Sequence, residues 1–342
     1  NFRRVTASLV HAPGDALLFT SGATESNNLI LGSEGRRPRA HLVISAIEHK
    51  CVLESAARAR EFGARVSLLP VDGHGVADLN ALERFISEGA TFVSVMAANN
   101  EIGVIQPLEE IGRMCQGADI RFHTDAAQAI GKMRLNVTAL GIDYLTFTAH
   151  KYGGPQGIGG VICSRRGTDR VEPLLVGGGQ ERGLRSGTIP IALCAGMAAA
   201  SLALSQNMEA EIARMRQMRD RLLNGLSSLG PFFTNSDVDH GLCNNLNGGF
   251  EGIPALLLMR RVPSVHFSTG SACTSGGAAS HVLTAMGLRR ERIESSFRLS
   301  VGWCTTEEDV ERAIDAFRRA VQTFPRHRIH FRGASEPVPD AL

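Results

Sequence analysis

The sequence lacks the features that would assign it to a membrane, secreted or nucleic-acid-binding class. No apolar run reaches about 18 residues, so no transmembrane helix is predicted, and no signal peptide is recognisable at the start. The 7 cysteines form no CxxC pair, which argues against a disulfide framework or a metal site and favours the reducing cytoplasm. Lysine and arginine outnumber aspartate and glutamate by only 36 − 34 = 2, so neither nucleic acid nor a membrane is predicted as a partner.

The composition is that of a globular protein, with 342 residues of which 43% are hydrophobic, enough for a large core and two domains. Short apolar runs alternate with amphipathic stretches, which predicts an α/β fold with a mostly parallel sheet covered by helices on both faces. One stretch, residues 78–86, should be a helix with Asp78 as its N-cap. The predicted strands are residues 15–20, 41–46, 64–70, 91–97, 120–124 and 143–148.

A long helical pattern begins near Ile189, runs past Arg219 and predicts a connection between two domains. Thr305 and Glu308 fit a capping box at the start of the last helix. The prediction is a large domain over residues 1–203 and a smaller α+β C-terminal domain over residues 204–325. A loosely held tail follows at 326–342.

Polar residues follow several predicted strands, at the edge of a parallel sheet where α/β proteins bind ligands. The segment TSGATESNN, residues 20–28, opens a helix whose free N–H groups suit a phosphate, although an ordinary turn is an alternative. His49 can be a structural histidine and the Asn pair before Glu101 can form a turn. Asp125, with Gln128 one helical turn on, is either a helix N-cap or a carboxylate that keeps a ring nitrogen protonated.

Lys151 follows the apolar run DYLTFT and precedes a glycine-rich segment, residues 153–160. A buried ammonium is costly, so this lysine should lose its proton or form a Schiff base with an aldehyde. A surface lysine is the alternative. Thr148 and His150 beside it can reach a phosphate, and the whole set suits pyridoxal 5′-phosphate (PLP). The GIGG sequence at 157–160 lacks the full GxGxxG spacing, which leaves a dinucleotide-binding oxidoreductase as a weak alternative.

Cys273 lies in the stretch STGSACTSGG, whose small polar residues cannot bury themselves. An exposed thiol on such a loop indicates a reactive group, although a chance cysteine is the alternative. The other six cysteines lie in apolar or helical runs and are expected to be inert packing residues.

In their order along the chain, these motifs resemble those of the cysteine desulfurases. The matching segments cover residues 14–323 and read SGATESNN, EHK, NNEIGV, HTDAAQAIGK, TFTAHKYGGPQGIGG, GGGQERGLRSGT and GSACTSG. The resemblance implies a PLP-dependent transferase of fold type I, with a seven-stranded type of sheet, in the branch that serves iron–sulfur cluster assembly and nitrogen fixation. The implied reaction converts L-cysteine to L-alanine and leaves a persulfide on Cys273.

The resemblance also implies a role for each matching residue. Lys151 forms the Schiff base, Asp125 pairs with the ring nitrogen, and His49 stacks on the ring. Gln128 and Asn100 lie near the ring oxygen and the substrate. Arg298 binds the substrate carboxylate, and Cys273 receives the sulfur. The implied phosphate ligands are Ala23, Thr24, Thr148, His150 and, from the other subunit of a homodimer, Thr188.

The sequence departs from the family pattern at four points. An N-terminal segment of roughly fifty residues with an Asn-Ala-Thr-Thr-like motif is expected by analogy and is missing here. Trp303 stands where an Arg is common, which we interpret as a local packing change. The segment after Cys273 is one residue shorter than usual, which affects how a sulfur acceptor docks. Gln180 replaces a common His, without a predicted consequence.

Three readings therefore remain beside the weak oxidoreductase. The first is a cysteine desulfurase that delivers sulfur to an acceptor such as an iron–sulfur scaffold. The second is a selenocysteine lyase or another PLP β-lyase on the same fold. The third is a non-catalytic binding protein of a sulfur pathway.

Overall fold

A seven-stranded sheet forms the centre of the larger part of the chain in the computed structural model, which describes residues 2–235, 237–269 and 279–324. The strand order is β1-β7-β6-β5-β4-β2-β3, and β7 alone runs antiparallel to its two neighbours. The predicted mostly parallel sheet is thus confirmed. Its strands are β1 (Leu17–Thr20), β2 (His41–Ser45), β3 (Arg65–Leu69), β4 (Phe92–Ser94), β5 (Arg121–Asp125), β6 (Tyr144–Thr148) and β7 (Gly159–Cys163).

Both faces of this sheet contribute to a hydrophobic core. Alternate residues of a strand point to opposite sides, so neighbouring residues belong to different clusters. Leu17, Val43 and Val93 belong to one hydrophobic cluster, and their chain neighbours Leu18, Leu42 and Phe92 belong to another. The helices of this part of the chain are α1 (Phe2–Ser8), α2 (Ala23–Gly35), α3 (Lys50–Glu61), α4 (Leu79–Ser87), α5 (Leu108–Gly117) and α6 (Arg165–Thr168). Asp78 caps α4 as predicted, since its carboxylate accepts from the backbone N–H groups of Asn80 and Ala81.

Strand β7 was missed by the sequence interpretation, which treated its glycines as part of a loop. These glycines are needed because the strand passes very close to its neighbours. A Cβ built on Gly159 would lie 2.4 Å from the carbonyl oxygen of Phe147 and 2.8 Å from Cα of Gly22. Glycine at these positions allows the close approach but adds no hydrophobic side chain, so β7 lacks the apolar pattern by which a strand is recognised in a sequence.

The smaller part of the chain contains an antiparallel sheet in the order β10-β9-β8. Aromatic residues such as Phe250, Phe297 and Phe317 fill its core. Its strands are β8 (Phe232–Thr234), β9 (Asn245–Phe250) and β10 (Ser296–Ser300). Its helices are α8 (Ala255–Arg261), α9 (His281–Ala285), α10 (Arg290–Ser295) and α11 (Glu307–Val321).

A single long helix, α7 (Ile191–Ser227), contributes to the cores of both parts. Its first half places Met197 and Leu204 in the large core, and its second half places Met215 and Leu222 in the small one. The predicted boundary between residues 203 and 204 therefore falls inside a helix. Within the described ranges, α7 is also the one helix long and apolar enough to cross a membrane, a test that core helices of soluble proteins pass as well.

The capping box of α11 differs from the predicted one by one residue. The Thr306 hydroxyl accepts from the backbone N–H of Asp309, and the Asp309 carboxylate accepts from the backbone N–H of Thr306. The predicted pair of Thr305 and Glu308 is wrong because the Thr305 hydroxyl instead accepts from the backbone N–H of Gly302, 2.9 Å away.

We expect Gly159→Ala to lower the free energy of unfolding by about 2 kcal/mol or more, because the new methyl group would overlap backbone atoms that cannot move away. Gly117→Ala is the matched control, since a Cβ there meets nothing within 4 Å. It should leave stability unchanged or raise it by about 0.5 kcal/mol. Urea unfolding of the two variants and the wild type checks this, and equal midpoints would contradict the close approach.

Candidate functional site

Four candidate residues stand where neighbouring parallel strands end. His49 is the N-cap of α3, which follows β2, and Asn100 follows β4. Asp125 is the last residue of β5, and Lys151 lies in the 3₁₀ turn Ala149–Tyr152 after β6. Because these strands are parallel, their carboxyl ends share one edge of the sheet. The strand pattern of the sequence predicted that these residues share one edge, and the structure confirms it. The chemical role of each residue stays a prediction.

Asp125 is buried, with 4% of its surface exposed. The backbone N–H of Ala127 donates to Oδ1 over 2.8 Å, and Asn27 Nδ2 donates to Oδ2 over 2.7 Å. Burial raises the pKa of Asp125, while these two donors and the nearby His49 oppose the rise. Each oxygen keeps a further lone pair, so the carboxylate can also accept from a protonated ring nitrogen.

His49 is held next to Asp125 by its contacts with Cys51. Nδ1 of His49 accepts from the backbone N–H of Cys51 over 3.2 Å and lies 3.0 Å from its Sγ. Burial lowers the pKa of His49, and the charge of Asp125 works against this effect. Cys51 is thus more than a packing residue, because its thiol contacts the imidazole of a candidate site residue. The expectation of an inert thiol holds, since burial raises the pKa of Cys51 to about 11.

Small residues bring the start of α2 against the end of β6. The N-cap Gly22 has a φ of 153°, which a residue with a side chain rarely adopts. A Cβ there would lie 3.5 Å from Oγ1 of Thr148, which is 2.9 Å from Nδ1 of His150. The predicted phosphate ligands Ala23 and Thr24, in the first turn of α2, thus adjoin Thr148 and His150.

The expectation of a buried ammonium at Lys151 is wrong, because this residue is exposed in the turn beyond the strand end. The neighbouring Lys132 is the desolvated one. Its Nζ donates to the carbonyl oxygens of Gln128 over 3.1 Å and of Lys151 over 3.4 Å. Burial, opposed by Cys243 and assisted by the charge of Lys151, lowers the pKa of Lys132 to about 8. Lys132 thereby holds the Gln128 and Lys151 backbones together.

Arg298 connects the small sheet to the candidate site. It lies on β10, and its Nη1 donates to the carbonyl oxygen of Asn100 over 2.7 Å. Its backbone also pairs with Ser268 through hydrogen bonds of 2.7 and 3.1 Å. The guanidinium predicted to bind a carboxylate is thus positioned at the same edge as the strand-end residues.

Cys273 lies outside the described residues, as does the predicted tail at 326–342. The residues on either side of the Cys273 segment are described. Ser268 pairs with Arg298 before it, and after it Nε2 of His281 donates to the carbonyl oxygen of Glu48 over 3.0 Å. The described residues on the two sides of the Cys273 segment are therefore anchored at the candidate site, one side at Arg298 and the other at Glu48.

Thr188 is exposed and follows a loop that is fixed at two points. The Gln180 side chain accepts from the backbone N–H of Gly187 over 2.9 Å, and Arg185 forms an ion pair of 2.8 Å with Glu25 of α2. Gln180, which the sequence left without a consequence, thus closes the loop that presents Thr188.

Several site residues were missed by the sequence interpretation, although most stand in the quoted motifs. Glu48 is fully buried, and burial together with the charge of Asp125 raises its pKa well above the ordinary value. A neutral acid is therefore expected there. The missed residues are Asn27, Glu48, Cys51 and Lys132.

The remaining cysteines divide by exposure. Cys304 is exposed, so the expectation of a packing role is wrong for it. The neighbouring Trp303 is 39% exposed, and its carbonyl oxygen accepts from Nη2 of Arg214. The buried cysteines, which agree with the expectation, are Cys115, Cys163, Cys194 and Cys243.

Known proteins share both the sequence and the fold. The Aminotransferase class-V family model matches residues 1–313. A cysteine desulfurase of Pongo abelii is 42% identical over 318 residues, which are 92% of this chain and 70% of the relative. The chain belongs to the cysteine desulfurase family of class-V aminotransferases.

Solved structures of the cysteine desulfurase family and its relatives agree with the predicted fold type I. A NifS-like protein superimposes with a TM-score of 0.87 at 33% identity, over 94% of this chain and 87% of that one. The SspA structure in complex with cysteine gives a TM-score of 0.76 at 32% identity, over 88% of this chain and 85% of that one. The alternatives to a cysteine desulfurase are not favoured by these relatives.

The family depends on PLP, and the residues present here fit that cofactor. The start of α2 has a φ of 153° at Gly22, which a residue with a side chain rarely adopts, and small residues there let backbone N–H groups approach a phosphate. Asp125 offers buried acceptors to a ring nitrogen, and Lys151 carries a primary amine of the kind that forms a Schiff base.

We expect the burial of His123 to contribute to the pH dependence of the free energy of unfolding. It is fully buried, and burial lowers its pKa from 6.5 to about 3. Between these pH values the unfolded chain binds a proton that the folded protein does not, so stability falls as the pH drops from 6.5 toward 3. From pH 7 to pH 5 this group should cost the wild type about 2 kcal/mol.

Urea unfolding at pH 5, 6 and 7 measures this loss. His123→Gln should show a smaller decrease in the free energy of unfolding over the same range. His74→Gln, which changes an exposed histidine, is the control and should follow the wild type. Parallel pH dependences for all three proteins would refute the assignment to His123.

Proposed function

We propose that this protein is a cysteine desulfurase that converts L-cysteine to L-alanine and transfers the sulfur to Cys273. The observation that carries this proposal is the meeting of two sets of residues at one edge. His49, Asp125 and Lys151 come from the parallel strands, and the chain flanking Cys273 is attached beside Arg298 and Glu48. The names of the relatives support the same reaction.

The residues that would hold PLP follow from this geometry. Asp125 would accept from the ring nitrogen, His49 would cover a ring face, and Lys151 Nζ would form the Schiff base. Gln128 and Asn100 would lie beside the ring oxygen and the substrate. Ala23, Thr24, Thr148 and His150 would bind the phosphate. When bound, PLP supplies an electron sink for the bonds at the substrate α-carbon.

The chain's own residues would carry out the remaining steps. Arg298 would bind the substrate carboxylate with its guanidinium. Lys151 Nζ would accept the α-proton of the substrate. The Cys273 thiolate would attack the substrate sulfur, so that the carbon–sulfur bond breaks and a sulfur–sulfur bond forms. One cysteine and one thiol then give one alanine and one persulfide, with atoms and electrons balanced.

We further propose a homodimer in which Thr188 reaches the phosphate in the partner's site. Thr188 is exposed, and exposed apolar residues lie near it in the chain. Leu175 is 46%, Val176 83% and Ile191 62% exposed. Burying such residues against a second copy would remove apolar surface from water. The persulfide sulfur would leave for an acceptor protein such as an iron–sulfur scaffold.

We expect Cys273→Ala to abolish alanine formation from cysteine while PLP remains bound, because no thiol is left to receive the sulfur. Mass analysis of the wild type after incubation with cysteine should show one added sulfur on Cys273. Cys304→Ala, which removes an exposed thiol elsewhere, should retain activity. A Cys273→Ala protein that still forms alanine would instead indicate a lyase that releases its product directly.

A mixed dimer tests the proposed contribution of Thr188. Lys151→Ala removes the amine of its own subunit's site, and Thr188→Ala weakens the partner's site. Co-expression of the two variants should restore activity, because one of the two sites in each mixed dimer keeps both residues. The separate variants should stay well below the mixture in a cysteine-to-alanine assay. A mixture no more active than the sum of its components would contradict a shared site.

A further inference from the structure

A buried chain of hydrogen bonds leads from Ser94 on β4 to His49 at the start of α3. It crosses three strands and two helices, and the proposed reaction uses only its end at His49 and its branch to Asp125. In order, the side chains are Ser94, His123, Thr146, Asn27, Cys51 and His49, and Asp125 branches from Asn27.

The donor and acceptor of each hydrogen bond between Ser94 and Asn27 follow from the Asn27 carbonyl oxygen, which can only accept. Asn27 turns its Nδ2 to Asp125, so its Oδ1, an acceptor, faces Oγ1 of Thr146 at 2.5 Å. The Thr146 hydroxyl therefore donates to Asn27 and must accept from Nε2–H of His123, 3.2 Å away. Nδ1 of the neutral His123 then accepts from the Ser94 hydroxyl over 2.8 Å. The low pKa of His123 agrees with a ring that carries a single proton.

The donor and acceptor of each contact between Asn27 and His49 follow from the Asn27 NH₂ group, which can only donate. Asn27 Nδ2 donates to Sγ of Cys51 over 3.2 Å, and this sulfur lies 3.0 Å from Nδ1 of His49. The backbone N–H of Cys51 also points at Nδ1, so Nδ1 carries a lone pair, which the thiol proton can share. Burial raises the pKa of Cys51 to about 11, which keeps that proton on sulfur at neutral pH. The imidazole proton of His49 therefore resides on Nε2.

We propose that Asn27 is a positioning residue that couples the Asp125 carboxylate to the His49 imidazole through the Cys51 thiol. The coupling deepens the proposed function and rests on it. Asn27 holds Asp125 as an acceptor toward a ring nitrogen, and Cys51 holds His49 in the tautomer that exchanges protons at Nε2. One amide group thus sets the hydrogen-bonding state of both residues that would contact the ring.

Several charged groups surround the chain and set its electrostatic background. His49 faces Asp125, Lys50, Lys151 and His281. Cys51 faces Asp125 and Glu48. These charges act on the ionisation of His49 and Asp125, whereas the hydrogen-bond chain decides which atom carries each proton. A variant that interrupts the chain without changing a charge therefore isolates the proposed coupling.

Asn27→Ala tests the branch to Asp125 through cofactor binding. The probes are PLP and its analogue in which the ring nitrogen is replaced by CH, titrated by absorbance. The wild type should prefer PLP, because only PLP can donate to Asp125. The variant should lose about tenfold or more of this preference, since Asp125 loses one of its two donors. Asn28→Ala, whose side chain donates to the carbonyl oxygen of Thr24, is the matched control and should keep the preference.

Cys51→Ala and Cys51→Ser test the branch to His49 in protein without cofactor. ¹⁵N NMR of labelled histidine, with the His49 signals assigned from a His49→Gln variant, reports which ring nitrogen carries the proton. Cys51→Ala should raise the fraction of His49 with the proton on Nδ1, because only the backbone N–H of residue 51 then remains as a donor to Nδ1. Cys51→Ser should restore the wild-type signals because its hydroxyl can donate. Cys115→Ala, which removes a buried thiol of α5, should change nothing at His49.

The outcomes separate this inference from the proposed function. An unchanged preference in Asn27→Ala, or identical His49 signals in Cys51→Ala and Cys51→Ser, would overturn the coupling even in an active desulfurase. A protein with the expected His49 signals that binds no PLP would overturn the proposed function and leave the link between Cys51 and His49 in place.

Discussion

The buried carboxylate of Asp125 is the constraint that the rest of the site depends on. A carboxylate removed from water is tolerated only where donors replace its lost hydration. One donor is the backbone of Ala127, directly after β5, and the other is the Asn27 side chain on α2. Because Asn27 must reach Asp125, the first turn of α2 is held against the ends of β5 and β6. The close approach of Gly22 and Gly159 permits this packing, so the carboxylate and the predicted phosphate ligands are positioned together.

Burial sets the charge states of the ionisable groups around Asp125. Burial favours the neutral forms of Glu48 and His123, and it lowers the pKa of His49. A neutral Glu48 avoids placing a second anion near Asp125, which would otherwise repel it. On the other side of the site, Lys132 contributes a cation or a neutral amine near pH 8 beside the Lys151 backbone. The acid–base state of the edge is therefore set by burial as well as by pairing.

The substrate side of the edge depends on the contact between the two sheets. Arg298 on β10 donates to the carbonyl oxygen of Asn100, and His281 at the start of α9 donates to that of Glu48. Both acceptors are backbone groups in loops that follow parallel strands of the large sheet. These two hydrogen bonds align the small sheet with His49 and Asp125, so a substrate bound to Arg298 would lie over the same edge.

The sequence by itself determined the α/β class, the strands that carry the site, the N-cap at Asp78 and the family, because periodicity and motif order are local properties of the chain. It also located His49, Asp125 and Lys151 at strand ends. Only the tertiary structure decided that β7 is a strand, that Lys132 rather than Lys151 is the desolvated lysine, and that Asn27 and Cys51 join the site. The physical reason is that desolvation and side-chain hydrogen bonding depend on neighbours distant in sequence. Asn27 and Asp125, for example, are 98 positions apart and meet only because α2 packs against the end of β5.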